Sequence, residues 1–193
     1  MDEQSPDAAA LDELVSRAVG GDAAAFAAIY DEFSPRLRRF LRHQPIDPDI
    51  AEELLQRTFL KMIEALPRYD QRGLPFGAWV FRIARNALTD HWRTLHPAVS
   101  LEAALDRPAD GGDPVSTAER EQERAQLRAV LANLPPDQQE VLVWRFFAEL
   151  SPAETAVMMG RSNGAVRVLQ HRALTSLRDQ FELATVVAGS VEG

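Results

Sequence analysis

The chain has 193 residues, 46% of them hydrophobic, and a formal net charge of −8. That length holds one large or two small domains, and with 12 prolines and no long Gly/Ser tract the composition is that of a globular protein. Cysteine is absent, which excludes disulfides and thiolate metal sites, and the acidic balance excludes a protein that coats nucleic acid without selection. The first residues, MDEQSPDAAALDE, have no apolar centre, and no apolar run reaches the roughly 18 residues of a membrane span, so the chain is expected in the cytoplasm with no membrane partner.

Residues 11–19 form a short amphipathic helix with Leu11, Leu14, Val15 and Ala18 on one face, ended by Gly20-Gly21. Asp22 caps a second helix, in which Phe26, Ile29, Tyr30, Phe33, Leu37, Phe40 and Leu41 recur at helical spacing as a buried stripe. Pro35 is expected to bend this helix or start a new turn, and Arg36, Arg38, Arg39 and Arg42 crowd its polar side. A third helix follows Asp47-Pro48-Asp49 and runs to about Leu66, with Ile50, Leu54, Phe59, Met62, Ile63 and Leu66 inward and Glu52, Glu53, Gln56 and Arg57 outside. On charge alone that outer cluster is a solvated face.

The stretch PRYDQRGLP at 67–75 is a turn-rich surface loop. Phe76, Trp79, Val80, Ile83, Ala87 and Leu88 then build a fourth amphipathic helix that also carries Arg82, Arg85, Asn86, His91, Trp92 and Arg93. Trp79 lies on the apolar stripe and belongs to the core. Arginines and aromatics interleaved beside a loop suit unstacked bases, which need a π-face or a guanidinium to lie against. From Thr94 to about Thr117 the helical period gives way to prolines, glycines and acids, an extended acidic linker.

Beyond it, residues 118–133 read as a helix with Glu and Arg at i,i+4 spacing and Leu127, Val130, Leu131 and Leu134 inward, stopped by Pro135-Pro136. Asp137 starts a further helix over 138–148 containing Val141, Leu142, Trp144, Arg145 and Phe146. Residues 150–178 read as a helix-turn-helix. Ser151 caps its first helix with Pro152 at the first position and Glu154 completing the box, Ala153, Ala156 and Val157 face a neighbour, and Gly160 makes the turn. Ser162 or Asn163 caps the second helix, whose stripe is Val166, Leu169, Ala173 and Leu177 and whose outer side carries Arg167, His171, Arg172 and Arg178. No Asp or Glu occurs from 155 to 178, an arrangement that points to an anionic ligand and to a recognition helix in a DNA groove. The small-residue tail at 181–193 is expected to fray.

The run GRSNGAVR at 160–167, continued by HRAL at 171–174 and Leu177-Arg178, resembles the promoter-reading end of bacterial extracytoplasmic-function sigma factors, group 4 of the sigma-70 family. Upstream, AEELLQRTFL at 51–60 resembles the segment with which those factors grip the clamp helices of the largest polymerase subunit, except that Arg57 stands where the family usually has an acid. FGAWVFRIARN at 76–86 and Asp90-His91 are similar to the family's minus-ten-reading helix. The resemblance runs from Ala23 to Asp179 and implies an all-α fold of two small helical domains joined by the acidic linker. It implies an N-terminal segment and short helix over 1–21, sigma region 2 over 22–95, a linker over 96–117 threading the RNA exit path, sigma region 4 over 118–182 and a tail over 183–193.

The same resemblance implies that Ser162, Asn163, Arg167, Val168, His171 and Arg172 meet the minus-thirty-five element. It assigns Tyr69, Asp70, Gln71, Arg72, Arg82, Arg85 and Asn86 to the minus-ten strand, and Glu52, Glu53 and Gln56 to core polymerase. The implied partners are core RNA polymerase through its clamp helices and flap, promoter DNA, and an anti-sigma factor. No catalytic residue, metal or cofactor is expected: there is no Gly-rich phosphate loop, and His43, His91, His96 and His171 have no ligand spacing. The competing reading is a stand-alone helix-turn-helix regulator of the LuxR type, with the N-terminal helices as a sensor or dimer module.

Overall fold

The computed structural model describes residues 6–70, 72–95 and 129–189, with side chains between 9 and 181 in that set. The expected linker, most of the helix expected at 118–133, and Gln71 lie outside the described residues. Among the described residues every regular element is helical.

The N-terminal unit consists of α1 (Pro6–Val19), α2 (Ala23–His43), α3 (Pro48–Ala65), a single 3-10 turn (Leu66–Arg68) and α4 (Phe76–Leu95). Asp22 sets the corner between α1 and α2: one carboxylate oxygen accepts from the N–H groups of Ala24 and Ala25 at 2.9 and 3.2 Å, while the other accepts from Arg17 at 2.6 Å. The Arg17 hydrogen bond, followed by the backbone donors, holds the Asp22 carboxyl below its ordinary range. Asp47 caps α3 through the Asp49 N–H at 2.9 Å, with Pro48 in the first turn where a missing N–H costs nothing. The α2 helix continues through Pro35, which does not begin a new element. Pro35 is exposed, as is Asp31 four residues before it, so the carbonyl deprived of its donor is in a position to meet water while Phe33 and Leu37 stay anchored in the core.

Ile29, Phe33, Leu37, Phe40 and Leu41 of α2 meet Leu54 and Met62 of α3 and Val80, Phe81 and Leu88 of α4, all with no more than 1% exposed. Phe33 meets Phe76, and Phe40 meets Phe81, edge to face at 5.5 and 5.6 Å. Two residues expected inward lie largely outside: Tyr30 is 41% and Ile63 49% exposed. The apolar stripes are wider than the core they cover, and Tyr30 only leans on Phe59, 4.4 Å between rings.

The C-terminal unit has a helical end at 129–132, α5 (Pro136–Leu142), a widened turn (Val143–Phe147), α6 (Pro152–Met159) and α7 (Asn163–Gly189). Val166, Leu169 and Ala173 of α7 are buried against Leu134, Val141, Leu142 and Ala156, with Leu177 packed beside them, as the heptad-like spacing requires. On α6 the buried pair is Thr155 and Ala156, whereas Ala153 and Val157 face outward; α6 turns the side one residue earlier than the spacing suggests. The α7 helix runs on to Gly189, so the backbone of much of the expected fraying tail is helical.

The helix expected over 138–148 is interrupted. After Leu142 the turn widens, with Ala148 N–H bonding to Val143 O at 3.0 Å, and Leu150 N–H to Trp144 O at 2.9 Å. One extra residue in a turn rotates the following side chains about the axis. Trp144 belongs to the first core and not the second: it stacks on Phe40 at 5.1 Å and 18°, and meets Phe81 edge-on at 6.3 Å. Ala148 and Leu150 join it there, both fully buried. The two helical units are therefore docked through a shared apolar seam.

Candidate nucleic-acid interface

The turn of the helix-turn-helix is built by three local devices. Ser151 Oγ accepts from Glu154 N–H at 3.2 Å, and the Glu154 carboxylate accepts from Ser151 N–H at 2.7 Å, a reciprocal capping box. Gly160 closes α6 at φ 62°, a conformation that favours glycine. Ser162, the earlier of the two expected caps, then accepts from Ala165 N–H at 3.2 Å. Downstream, Ser162, Asn163, Arg167, Val168, His171 and Arg172 are all exposed, with Val166 and Leu169 turned into the core between them. Arg161 is tied to Asp137 at 3.4 Å. Arg167, His171 and Arg172 have no carboxylate partner among the described residues. Unneutralised guanidinium groups flanking an exposed imidazole on the outer side of a helix are arranged for phosphates and base edges.

The residues expected at the minus-ten strand divide into three groups. Tyr69 supports the loop: its hydroxyl donates to Leu74 O at 2.8 Å, and its ring packs on Phe76 and Trp79 at 5.2 and 4.8 Å. Burial, then the charges of Asp12, Asp70 and Glu154, push its phenol up to about 12. Asp70 folds the loop tip by accepting from Arg72 N–H at 2.9 Å, with Gly73 N–H on the Asp70 carbonyl at 3.1 Å. Arg82 and Asn86 stand exposed one turn apart on α4, and Arg72 of the loop is exposed as well. Arg85 points elsewhere. Its guanidinium donates to Met158 O at 3.4 Å, lies 3.8 Å from Glu140, and sits over Trp144 at 5.9 Å, all in the C-terminal unit.

On α3, Glu52 bridges Arg38 and Arg42 of α2 at 2.9 and 3.2 Å and is half-buried. Glu53 pairs with Arg57 at 2.7 Å, so the reversed charge at 57 is answered locally. Glu53, Gln56, Leu60 and Ile63 follow at spacings of three, four and three, all exposed, Leu60 at 61%. Leu60 and Ile63 extend the expected polar site into a mixed face. Ile63 reads as inward from its spacing, and only its exposure in the structure brings it to this face beside Leu60.

Sequence reasoning missed the seam. Arg36 donates to the carbonyls of Ala148 and Glu149, both at 3.0 Å, and Arg39 to the Glu149 carboxylate at 2.6 Å. His43 stacks on Phe147 at 3.9 Å, and desolvation lowers its pKa to about 4. No local pattern marks these residues, because each partner is about a hundred positions away.

Comparison with known proteins places both units. The model of sigma-70 region 2 matches residues 29–96, and that of sigma-70 region 4 matches residues 130–179. The sigma factor ShbA of Streptomyces griseus is 40% identical over 86% of this chain and 92% of its own length. The sigma factor BldN of Streptomyces coelicolor is 35% identical over 89% of this chain, which spans 66% of BldN. Among solved structures, CnrH in complex with the cytosolic domain of CnrY superposes with a TM-score of 0.62 at 25% identity, over 88% of this chain and 96% of that one.

Proposed function

The chain belongs to the extracytoplasmic-function group of the sigma-70 family, a promoter-recognising RNA polymerase sigma factor, and from that membership we propose which surfaces do its work. The α3 face of Glu53, Gln56, Leu60 and Ile63 docks on the clamp helices of core polymerase, with Glu52 holding α3 to α2 beneath it. A mixed face of this kind suits a protein partner: apolar centre for affinity, flanking charge for register. The α7 face of Ser162, Asn163, Arg167, Val168, His171 and Arg172 lies in the major groove of the minus-thirty-five element. The loop at 69–75 with Arg82 and Asn86 receives the unpaired minus-ten strand, Tyr69 and Asp70 shaping the loop and Arg72 offering charge.

The observation that carries this reading is the pair of unpartnered guanidinium groups on α7, Arg167 and Arg172, in a molecule of net charge −8 whose α2 arginines are answered by carboxylates or carbonyls. Local attraction without global attraction suits a factor that borrows most of its DNA affinity from polymerase. In this reading the chain performs no bond chemistry and acts in the cytoplasm beside polymerase; no helix among the described residues is long and apolar enough to cross a membrane. An anti-sigma factor would compete for these same surfaces; CnrH, a solved structure similar to this chain, is itself held in complex with a protein partner, the cytosolic domain of CnrY. The LuxR-type alternative is not favoured, since the N-terminal helices match region 2.

Run-off transcription tests the reading: purified chain with core polymerase on a promoter-fragment library should give specific transcripts that core alone does not. A chain that binds operator duplex as a dimer and yields no core-dependent transcript would overturn it.

A further inference from the structure

At the flank of α7 lies a polar contact that charge alone does not mark. Arg145, in the widened turn ahead of α6, is half-buried, and its guanidinium has two acceptors: the carbonyl of Leu150, at the entry to the helix-turn-helix, and Oε1 of Gln170, which accepts from Nε at 2.9 Å. Burial disfavours the Arg145 charge, and the Glu154 carboxylate opposes that shift. A guanidinium anchored at both ends is a fixed donor. Gln170 follows Arg167 by three residues and precedes His171, half-buried where the outer face of α7 meets the buried stripe of Leu169 and Ala173.

A carboxamide has an accepting end and a donating end, and only its oxygen can take a hydrogen bond from an arginine. Arg145 therefore decides which way the amide faces. With Oε1 occupied, the Nε2 group of Gln170 is left with no hydrogen-bond partner among the described residues. A glutamine that reads adenine uses both ends at once, and Gln170 has one end to offer. A lone donor at the flank of a recognition helix is matched by a phosphate oxygen, which accepts from neutral amides as well as from arginines. We propose that Gln170 is a phosphate contact of the duplex-reading face, and that Arg145 is the positioning residue that turns its amide nitrogen outward. The inference rests on the proposed reading of duplex by α7 and adds to it a contact made without charge.

The test uses full-length protein assembled with core polymerase, and promoter duplexes in which one phosphate at a time of the minus-thirty-five element is replaced by an uncharged methylphosphonate. Several positions should cost the wild type affinity, and at one of them the cost should disappear in Gln170→Met, which keeps the length of the side chain and loses the donor. On unmodified duplex Gln170→Met should bind about fivefold more weakly, the scale of one neutral hydrogen bond. Arg145→Met should lose the coupling to the same phosphate although Gln170 is intact. Arg145→Lys, which keeps a donor for the amide oxygen, should regain part of it. Circular dichroism and urea midpoints report on the folding of each variant.

A pair that only braces the fold would lower the midpoint and weaken binding to every duplex alike, with no phosphate singled out, and that pattern overturns the proposal. Wild-type binding of all duplexes by Gln170→Met overturns it too. Coupling that persists in Arg145→Met rejects the positioning role. Arg167→Ala on the same duplexes separates the two levels: wild-type binding there as well would reject the reading of α7 itself, whereas a loss at Arg167 with none at Gln170 strikes this inference alone.

Discussion

Two helices of this molecule are rich in arginine, and they use it in opposite ways. On α2, Arg36, Arg38, Arg39 and Arg42 are all engaged: Arg38 and Arg42 by Glu52 of α3, Arg39 by Glu149, and Arg36 by carbonyls of the C-terminal unit. On α7, Arg167, His171 and Arg172 meet no acid among the described residues. Counting charges would make α2 the better nucleic-acid helix. Geometry reverses the order, because a guanidinium already neutralised by a fixed partner offers little net attraction to a phosphate, whereas an exposed one releases counterions when it binds. The lesson is that a basic face is identified by what surrounds it.

The comparison can be broken most strongly at Arg36. Arg36→Ala leaves two carbonyls of the opposite unit without their charged donor, and should lower stability by about 2–3 kcal/mol in urea titration. Arg167→Ala should leave stability within about 0.5 kcal/mol but weaken promoter binding by polymerase holoenzyme by about 1–3 kcal/mol, concentrated at one base pair of the upstream element. Its neighbour sharpens the contrast. Arg172→Ala should weaken binding evenly across promoter sequences and make the salt dependence shallower by roughly one unit of slope. If Arg36→Ala behaved like Arg172→Ala, the division between the two helices would be wrong.

His43 supplies a smaller effect, through pH. Burial lowers its pKa from 6.5 to about 4, so the docked form takes up its proton later than the unfolded chain does. The resulting stability is intact above pH 6.5 and lost progressively as pH falls toward 4. At pH 5.5 the loss should be about 1.4 kcal/mol, one unit below the unfolded pKa. Urea midpoints measured at pH 7.5 and 5.5 should differ by less in His43→Phe than in the wild type. The smallest expected effect is at the docking face: Glu53→Lys should weaken core polymerase binding by about 1 kcal/mol or less while leaving helicity unchanged. Glu53 is the better probe than Glu52, whose reversal would place a lysine against Arg38 and Arg42 and disturb the fold. Fluorescence anisotropy with labelled chain would measure it.

What was legible in the chain was local. Asp22, Asp47 and Ser151 announce helix starts, Gly160 announces a turn, and Val166, Leu169 and Ala173 announce a buried stripe, because capping and periodicity act within one or two turns of the residue that causes them. The helix-turn-helix could be read for the same reason, along with the outward placement of Arg167, His171 and Arg172. Periodicity tells that a side chain wants cover and is silent about what covers it. Trp144 reads as an ordinary apolar residue of its own helix; packing between the two units puts it in the first core, against Phe40 and Phe81. Ile63 and Tyr30 read as core and are half outside, since the width of an apolar stripe does not say how many neighbours arrive to fill it. Arg85 and Asn86 are adjacent in sequence and alike in polarity. One faces the C-terminal unit and the other solvent, a distinction made by packing between segments more than fifty residues apart.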